Sequence, residues 1–222
     1  MTSQSDRIME VAVEIDEGIT APAFLGLPQK PFGLVLFAHG SGSSRHSPRN
    51  QFVADILNDG KVATLLLDLL TPQEESIDRR TAALRFDIGL LARRLVAATR
   101  WLRTQPLLES LSLGYFGAST GAAAALVAAA AMPGEIAAVV SRGGRPDLAG
   151  EHLRGVKAPT LLIVGGADDV VVGLNRQALT LMSAPRELVI VPGATHLFEE
   201  PGALAEVARF SRAWFRRYLT KR

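Results

Sequence analysis

Val11, Val13 and Ile15 alternate with Glu10, Ala12, Glu14 and Asp16, a period of two with one polar face that predicts an exposed edge strand. Glu17-Gly18 offers a turn. Residues 19–25 predict a second strand, confined to a sheet edge by Pro22, which lacks the N–H that a ladder needs. The pattern then changes to short unbroken apolar runs at 34–38, 62–67, 111–116, 136–140, 160–164 and 188–191. Runs without a polar face fit strands buried on both sides, as in a parallel sheet.

Helical periodicity fills the intervals. Ser47-Pro48 precedes Phe52, Ile56 and Leu57, a capping residue followed by a proline at a first-turn position. Residues 81–103 predict one long amphipathic helix, with Leu84, Ile88, Leu91, Leu95 and Leu102 on one stripe. Residues 120–132 are nearly all alanine and stop at Pro133-Gly134, and 175–182 predict a shorter helix. Leu204, Val207, Phe210, Trp214 and Tyr218 mark an amphipathic C-terminal helix. Strand–helix alternation after an antiparallel lead-in predicts an α/β fold, a mostly parallel sheet with helices on both faces. Neither a repeat nor a linker interrupts it, so a single domain over 1–222 is expected, with little sequence left for a cap.

Composition narrows the classes. The 222 residues are 48% hydrophobic and 21% charged, which excludes global disorder. The absence of cysteine removes disulfides, cysteine-based metal sites and a cysteine nucleophile. With 24 basic against 22 acidic residues and no block of like charge, a nucleic-acid partner is not expected. The apolar run 122–132 falls short of the roughly 20 residues that span a bilayer. Residues 1–16 carry Asp6, Arg7, Glu10 and Glu14 without an apolar core, which argues against a signal peptide. A cytoplasmic protein without a membrane partner is the expectation, and a homodimer is left open.

The sharpest chemical feature is Gly117-Ala118-Ser119-Thr120-Gly121, between the apolar run 111–116 and the alanine-rich helix. That is the strand–turn–helix setting of a nucleophile elbow, where serine occupies a tight turn. The helix start aims free N–H groups and a positive dipole end at the serine. A serine nucleophile needs a base, and the base an orienting carboxylate. Of the four histidines, His196 follows the last strand in Val191-Pro192-Gly193-Ala194-Thr195-His196 and fits the base. His39 closes the run 34–38 and reads as a buried, hydrogen-bonded shaper of the next loop; His152 reads as a solvated surface residue. His46, in the loop 41–47, is a candidate for lining the site. Gly165-Gly166-Ala167-Asp168-Asp169 ends the run 160–164, so Asp168 fits the orienting acid, with Asp169 its neighbouring competitor and Asp68 a helix-capping acid. The order Ser119, Asp168, His196 is one of three known for such triads. Backbone N–H groups of Thr120 and of Ser41, in the loop His39-Gly40-Ser41-Gly42-Ser43, are the expected oxyanion donors.

On the His39-Gly40 loop, the Gly117–Gly121 elbow, Gly165-x-x-Asp168 and Gly193-Ala194-Thr195-His196, the chain resembles the α/β-hydrolase superfamily, and within it small dienelactone-hydrolase-like and carboxylesterase-like members. The resemblance runs from about residue 34 to the end. It implies an eight-stranded sheet with one antiparallel strand near the start, and ester or acyl hydrolysis with no cofactor. With no histidine pair at helical ligand spacing and no cysteine, no metal is expected either. Dienelactone hydrolases proper look to a cysteine nucleophile where this chain has Ser119, so a carboxylic ester hydrolase acting on a small-molecule ester is expected, with dienelactone-type lactone hydrolysis as the alternative.

Substrate signals are fewer. Arg142, in Ser141-Arg142-Gly143-Gly144-Arg145 after the run 136–140, fits a substrate anion or, structurally, loop carbonyls or Asp147. Residues 69–76 are a second expected pocket wall, and short or medium acyl esters fit an open site. Three rivals are weaker. Gly40-Ser41-Gly42-Ser43-Ser44-Arg45 mimics a dinucleotide fingerprint but has Arg45 at its third glycine. Asp168-Asp169-Val170-Val171-Val172-Gly173 has the paired acids of a phosphoribosyl-diphosphate site without the following Thr-Gly loop. A non-catalytic binding protein on the same scaffold is the third.

Overall fold

A computed structural model describes residues 7–220; the charged pattern read at residues 1–6 lies outside the described residues. Eight strands form one sheet in the order β1-β2-β4-β3-β5-β6-β7-β8. They are β1 (Arg7–Asp16), β2 (Ile19–Leu27), β3 (Gly33–Ala38), β4 (Val62–Leu67), β5 (Ser112–Ala118), β6 (Ile136–Arg142), β7 (Thr160–Gly165) and β8 (Arg186–Val191). β2 runs antiparallel to both β1 and β4, and every pair from β4 to β8 is parallel. This is an α/β-hydrolase sheet.

The second strand departs from expectation: β2 lies inside the sheet, between β1 and β4. Pro22 is tolerated there because the β2–β4 pairing covers only Ala23 to Gly26. Pro22 sits just beyond it and uses its carbonyl, which accepts from Asp68 N at 3.1 Å.

Among the described residues six α-helices flank the sheet: α1 (Pro48–Asp59), α2 (Pro72–Thr81), α3 (Ile88–Arg103), α4 (Thr120–Ala131), α5 (Asp169–Leu181) and α6 (Ala203–Leu219). Ser47 caps α1 by accepting from Asn50 N, with Pro48 in the first turn. The helix expected over 81–103 begins only at Ile88. Ala82 takes a left-handed conformation (φ 54°) that ends α2, a 3₁₀ turn Leu84–Phe86 follows, and Asp87 caps α3 through Leu90 N at 2.8 Å. Thr71 and Glu74 form a reciprocal capping box that starts α2, a helix the apolar pattern had hidden. Arg94 of α3 pins it through Glu74 at 2.7 Å.

Alternation along the strands divides the core. Leu34 and Leu36 of β3 join a cluster with Leu91, Leu95 and Ala125 beneath α3 and α4, while Val35 and Phe37 join Leu57, Val207 and Phe215 beneath α1 and α6. Unbroken apolar runs were the signature of that two-sided burial. Small residues let the helices approach: a Cβ on Gly114 would meet the Phe215 ring of α6 at 2.8 Å. Among the described residues no helix is long and apolar enough to cross a membrane.

Candidate active site

β5 delivers Ser119 to the C-terminal edge of the sheet, where α4 begins. Ser119 has φ 52°, ψ −120°, a conformation that costs a non-glycine residue roughly 1–3 kcal/mol and persists only when neighbours enforce it. They do. Ser119 N–H donates to Arg142 O at 3.2 Å, and its carbonyl accepts from Arg145 N at 3.2 Å and Ala122 N at 3.1 Å. The flanking glycines are spatial necessities: a Cβ on Gly117 would run into the Ala122 backbone, and one on Gly121 into the carbonyls of Ala38 and His39.

β7 and β8 bring in the other two side chains. Asp168 opens α5, yet its carboxylate makes no capping bond to that helix; it accepts instead from His196 Nδ1 at 2.7 Å. His196 Nε2 lies 3.3 Å from Ser119 Oγ. The row Asp168–His196–Ser119 is therefore continuous, half-buried and open at the histidine. Asp169, the competing acid, is the exposed first residue of α5.

Thr120 is the first residue of α4, so its N–H has no acceptor one turn back. Across from it, Ser41 Oγ and Thr120 Oγ1 are 2.9 Å apart, which ties the loop after β3 to the elbow. His39 shapes that loop: Nδ1 donates to Gly40 O at 3.0 Å, and Nε2 accepts from Leu69 N at 3.1 Å. Burial lowers its pKa from the ordinary 6.5, and the Gly40 bond and the Asp68 and Glu75 charges only partly offset this. Asp68 caps no helix; it receives Arg45 N at 2.6 Å and the Arg45 guanidinium, holding residues 41–47 in place.

Two cavities meet at Ser41. One, of about 180 Å³, contains Ser119, His196, Arg142, Arg49 and Asn50. The other, of about 380 Å³, runs past Thr120 to Leu70, Glu75, Arg79 and Arg85. The second wall thus extends well past residue 76, onto α2 and the 3₁₀ turn. Asp78 braces it, accepting from Leu84 N, Arg85 N and Arg85 Nε at 2.6–3.0 Å. Burial alone would raise the Asp78 pKa, but these bonds hold it below the usual carboxylate value.

His46 does not join the site. It is exposed, stacks edge-on against Phe24 at 5.1 Å, and lines neither cavity. Arg142 lines the smaller cavity, and Asp147 is taken by Arg145 at 2.7 and 2.9 Å. Arg49 and Asn50 were not anticipated. Their signal was available in principle, because a helix that follows a parallel strand starts at the edge where the strands end, and both sit in the first turn after Ser47. His152 is exposed. Among the described residues no group of three or more His, Cys, Asp or Glu is arranged to hold a metal ion.

Comparison with known proteins places the family and the fold. A family model described as the Dienelactone hydrolase family matches residues 24–219. The crystal structure of a dienelactone hydrolase from Anabaena variabilis is similar at TM-score 0.94 and 57% identity, covering 96% of this chain and 98% of that chain. The esterase domain of a Rhodothermus marinus protein shares the fold at TM-score 0.73 and 23% identity, over 96% of this chain and 99% of that chain. A Mycobacterium tuberculosis protein named as a candidate phosphoribosyl transferase is 60% identical over 191 residues, which are 86% of this chain and 42% of that protein. The chain spans less than half the length of the curated relatives it matches.

Proposed function

The chain belongs to the dienelactone hydrolase family, and on that premise we propose that it is a serine hydrolase that cleaves carboxylic esters with short or medium acyl chains through an acyl-enzyme. One observation carries the reading. A strained serine at a strand–helix elbow stands 3.3 Å from an imidazole whose far nitrogen is 2.7 Å from a carboxylate.

His196 Nε2 accepts the Ser119 proton as Oγ attacks the acyl carbonyl, and Asp168 holds the imidazole with its proton on Nδ1. The 3.3 Å separation is the loose contact usual before substrate binds. N–H groups of Thr120 and Ser41 receive the negative charge that develops on the carbonyl oxygen, an effect worth about 10²–10³ in rate per donor. His196 then gives its proton to the leaving alkoxide, and a water activated by the same nitrogen releases the acid. A lactone follows the same steps with the alcohol still tethered.

The phosphoribosyl transferase name of the M. tuberculosis relative is not carried over. With Asp168 engaged by His196 and Asp169 turned to solvent, the paired acids do not act as a unit toward a ribose. The test is Ser119→Ala assayed on p-nitrophenyl butyrate beside labelling with a fluorophosphonate probe. Loss of kcat on the order of 10⁶-fold and loss of labelling are expected. Turnover retained by Ser119→Ala would overturn the proposal.

A further inference from the structure

Asn50 stands apart from the other buried asparagines. Asn58 donates from Nδ2 to Ala54 O and Thr64 Oγ1 at 2.6 and 2.8 Å, and Asn175 to Gly144 O and Val171 O at 3.0 and 2.8 Å, so those two amides are locked. Asn50 is only 2% exposed, yet its Oδ1 meets no donor and neither end of its amide is bonded to a described residue. Its backbone is already fixed in the first turn of α1, where its N–H donates to Ser47 Oγ at 3.3 Å. The side chain is therefore not needed to start the helix. Burying an amide without a partner is costly, so such a group is normally matched by a water or a ligand.

Asn50 lines the cavity of about 180 Å³ that also contains Ser119 and His196. That space takes about six waters at roughly 30 Å³ each, and the cavity of about 380 Å³ past Thr120 is the roomier place for an acyl chain. Asparagine χ2 is broad, so the amide oxygen turns into the smaller space without moving α1. The other polar side chains there are poorer acceptors. Arg49 and Arg142 can only donate. Ser41 Oγ is tied to Thr120 Oγ1 at 2.9 Å, and Ser47 Oγ receives Asn50 N. Ser43 carries the remaining hydroxyl of the lining besides the nucleophile.

Hydrolysis of an acyl-enzyme makes a demand that its formation does not. The attacking water carries two hydrogens. One goes to His196 Nε2 as the oxygen bonds to the acyl carbon; the other orients the water only if it has a fixed acceptor. We propose that Asn50 is a further catalytic residue, its Oδ1 accepting that second hydrogen and aiming the water at the acyl group on Ser119. This rests on the serine-hydrolase reading. The step balances without a co-reactant. Water adds to the carbonyl carbon, its proton moves to His196, the acyl C–Oγ bond breaks, and His196 returns the proton to Ser119 Oγ. The acid leaves and Asn50 is unchanged. An alcohol has a single hydroxyl hydrogen, which His196 takes, so alcoholysis has no use for Asn50.

The experiment follows the competition between water and methanol. p-Nitrophenyl butyrate is turned over in buffer containing methanol, and methyl butyrate and butyric acid are quantified in the same sample. Their ratio is set after acylation, so it does not depend on how much of the protein is folded. Asn50→Leu, a near-isostere without an acceptor, is expected to raise methyl butyrate over butyric acid about tenfold or more, the worth of one ordinary hydrogen bond. The first turnover of p-nitrophenol release should stay within about threefold of the natural chain while steady-state turnover in plain buffer slows. Asn50→Asp, which keeps an acceptor, is expected to hold the natural ratio within about threefold. Should Asn50→Leu fail to fold by circular dichroism, Asn50→Ala is expected to raise the ratio about threefold or more. An unchanged ratio in the acceptor-free variant, even with slower first and later turnovers, shows a merely structural asparagine and overturns the proposal while leaving ester hydrolysis standing. A shift with Ser43→Ala and none with Asn50→Leu hands the acceptor role to Ser43 and overturns it as well. A natural chain that forms neither product and takes no fluorophosphonate label removes the serine-hydrolase reading, and the role of Asn50 with it.

Discussion

Gly165 ends β7 three residues before Asp168, and the chain bearing His196 passes directly over it. A Cβ placed there would press on the carbonyls of Ala194 and Thr195, the two residues preceding His196. Both obstacles are backbone oxygens, and both would be approached at least about half an ångström inside the 3.0 Å that a Cβ tolerates. Relief in Gly165→Ala therefore requires residues 194–195 to lift away from β7. They are held down by Ala167 N donating to Ala194 O at 2.9 Å. Lifting them carries His196 away from Asp168 and Ser119 together, stretching separations of 2.7 and 3.3 Å.

A displacement near 1 Å at reacting groups costs about 10²-fold in rate. Overpacking a tight site costs about 1–3 kcal/mol, which for a chain of this size lowers Tm by about 2–12 °C. Gly165→Ala is thus expected to lose about 10²-fold in kcat/KM on p-nitrophenyl butyrate while remaining folded at 25 °C. Active-site titration with a fluorophosphonate and a thermal melt measure the two effects. Gly173→Ala is the control, because a Cβ in that part of α5 meets nothing within 4 Å. A Gly165→Ala protein within twofold of natural activity and within 1 °C in Tm would refute the steric argument.

Asp168→Asn should reduce kcat about 10⁴-fold by presenting the wrong partner to His196 Nδ1, whereas Asp169→Asn should change it less than threefold; equal losses in steady-state assays would contradict the hydrogen-bond assignment. His39 supplies a pH signature. Folded His39 resists protonation, while unfolded His39 takes up a proton below about 6.5, so the unfolded state binds more protons and stability rises with pH there. Its contribution is fully present above that value and is lost as pH falls below it. Urea midpoints at pH 7.5 and 5.5 should differ more for the natural chain than for His39→Gln, and equal differences would rule His39 out as a source.

The periodic patterns were enough to read the sheet, because strands buried on both faces leave unbroken apolar runs wherever they lie. The Gly117–Gly121 elbow was equally legible: its constraint is local, a turn too tight for side chains between one strand and one helix. The order Ser119, Asp168, His196 followed from strand ends, since loops after parallel strands all reach one edge. What was misread was decided by contacts between distant segments. Pro22 is harmless inside the sheet only because β4 stops pairing one residue before it. The periodicity of 81–103 runs on through Ala82 and Asp87, yet a left-handed residue and a cap break it, and Asp78 seals the break through Arg85. The directions of side chains belong to the tertiary structure as well. Nothing in Ser141-Arg142-Gly143-Gly144-Arg145 says which arginine takes Asp147, and the fold gives it to Arg145. That leaves Arg142 buried beside Ser119, because the strand end and the first turn of α1 meet only after the chain has closed.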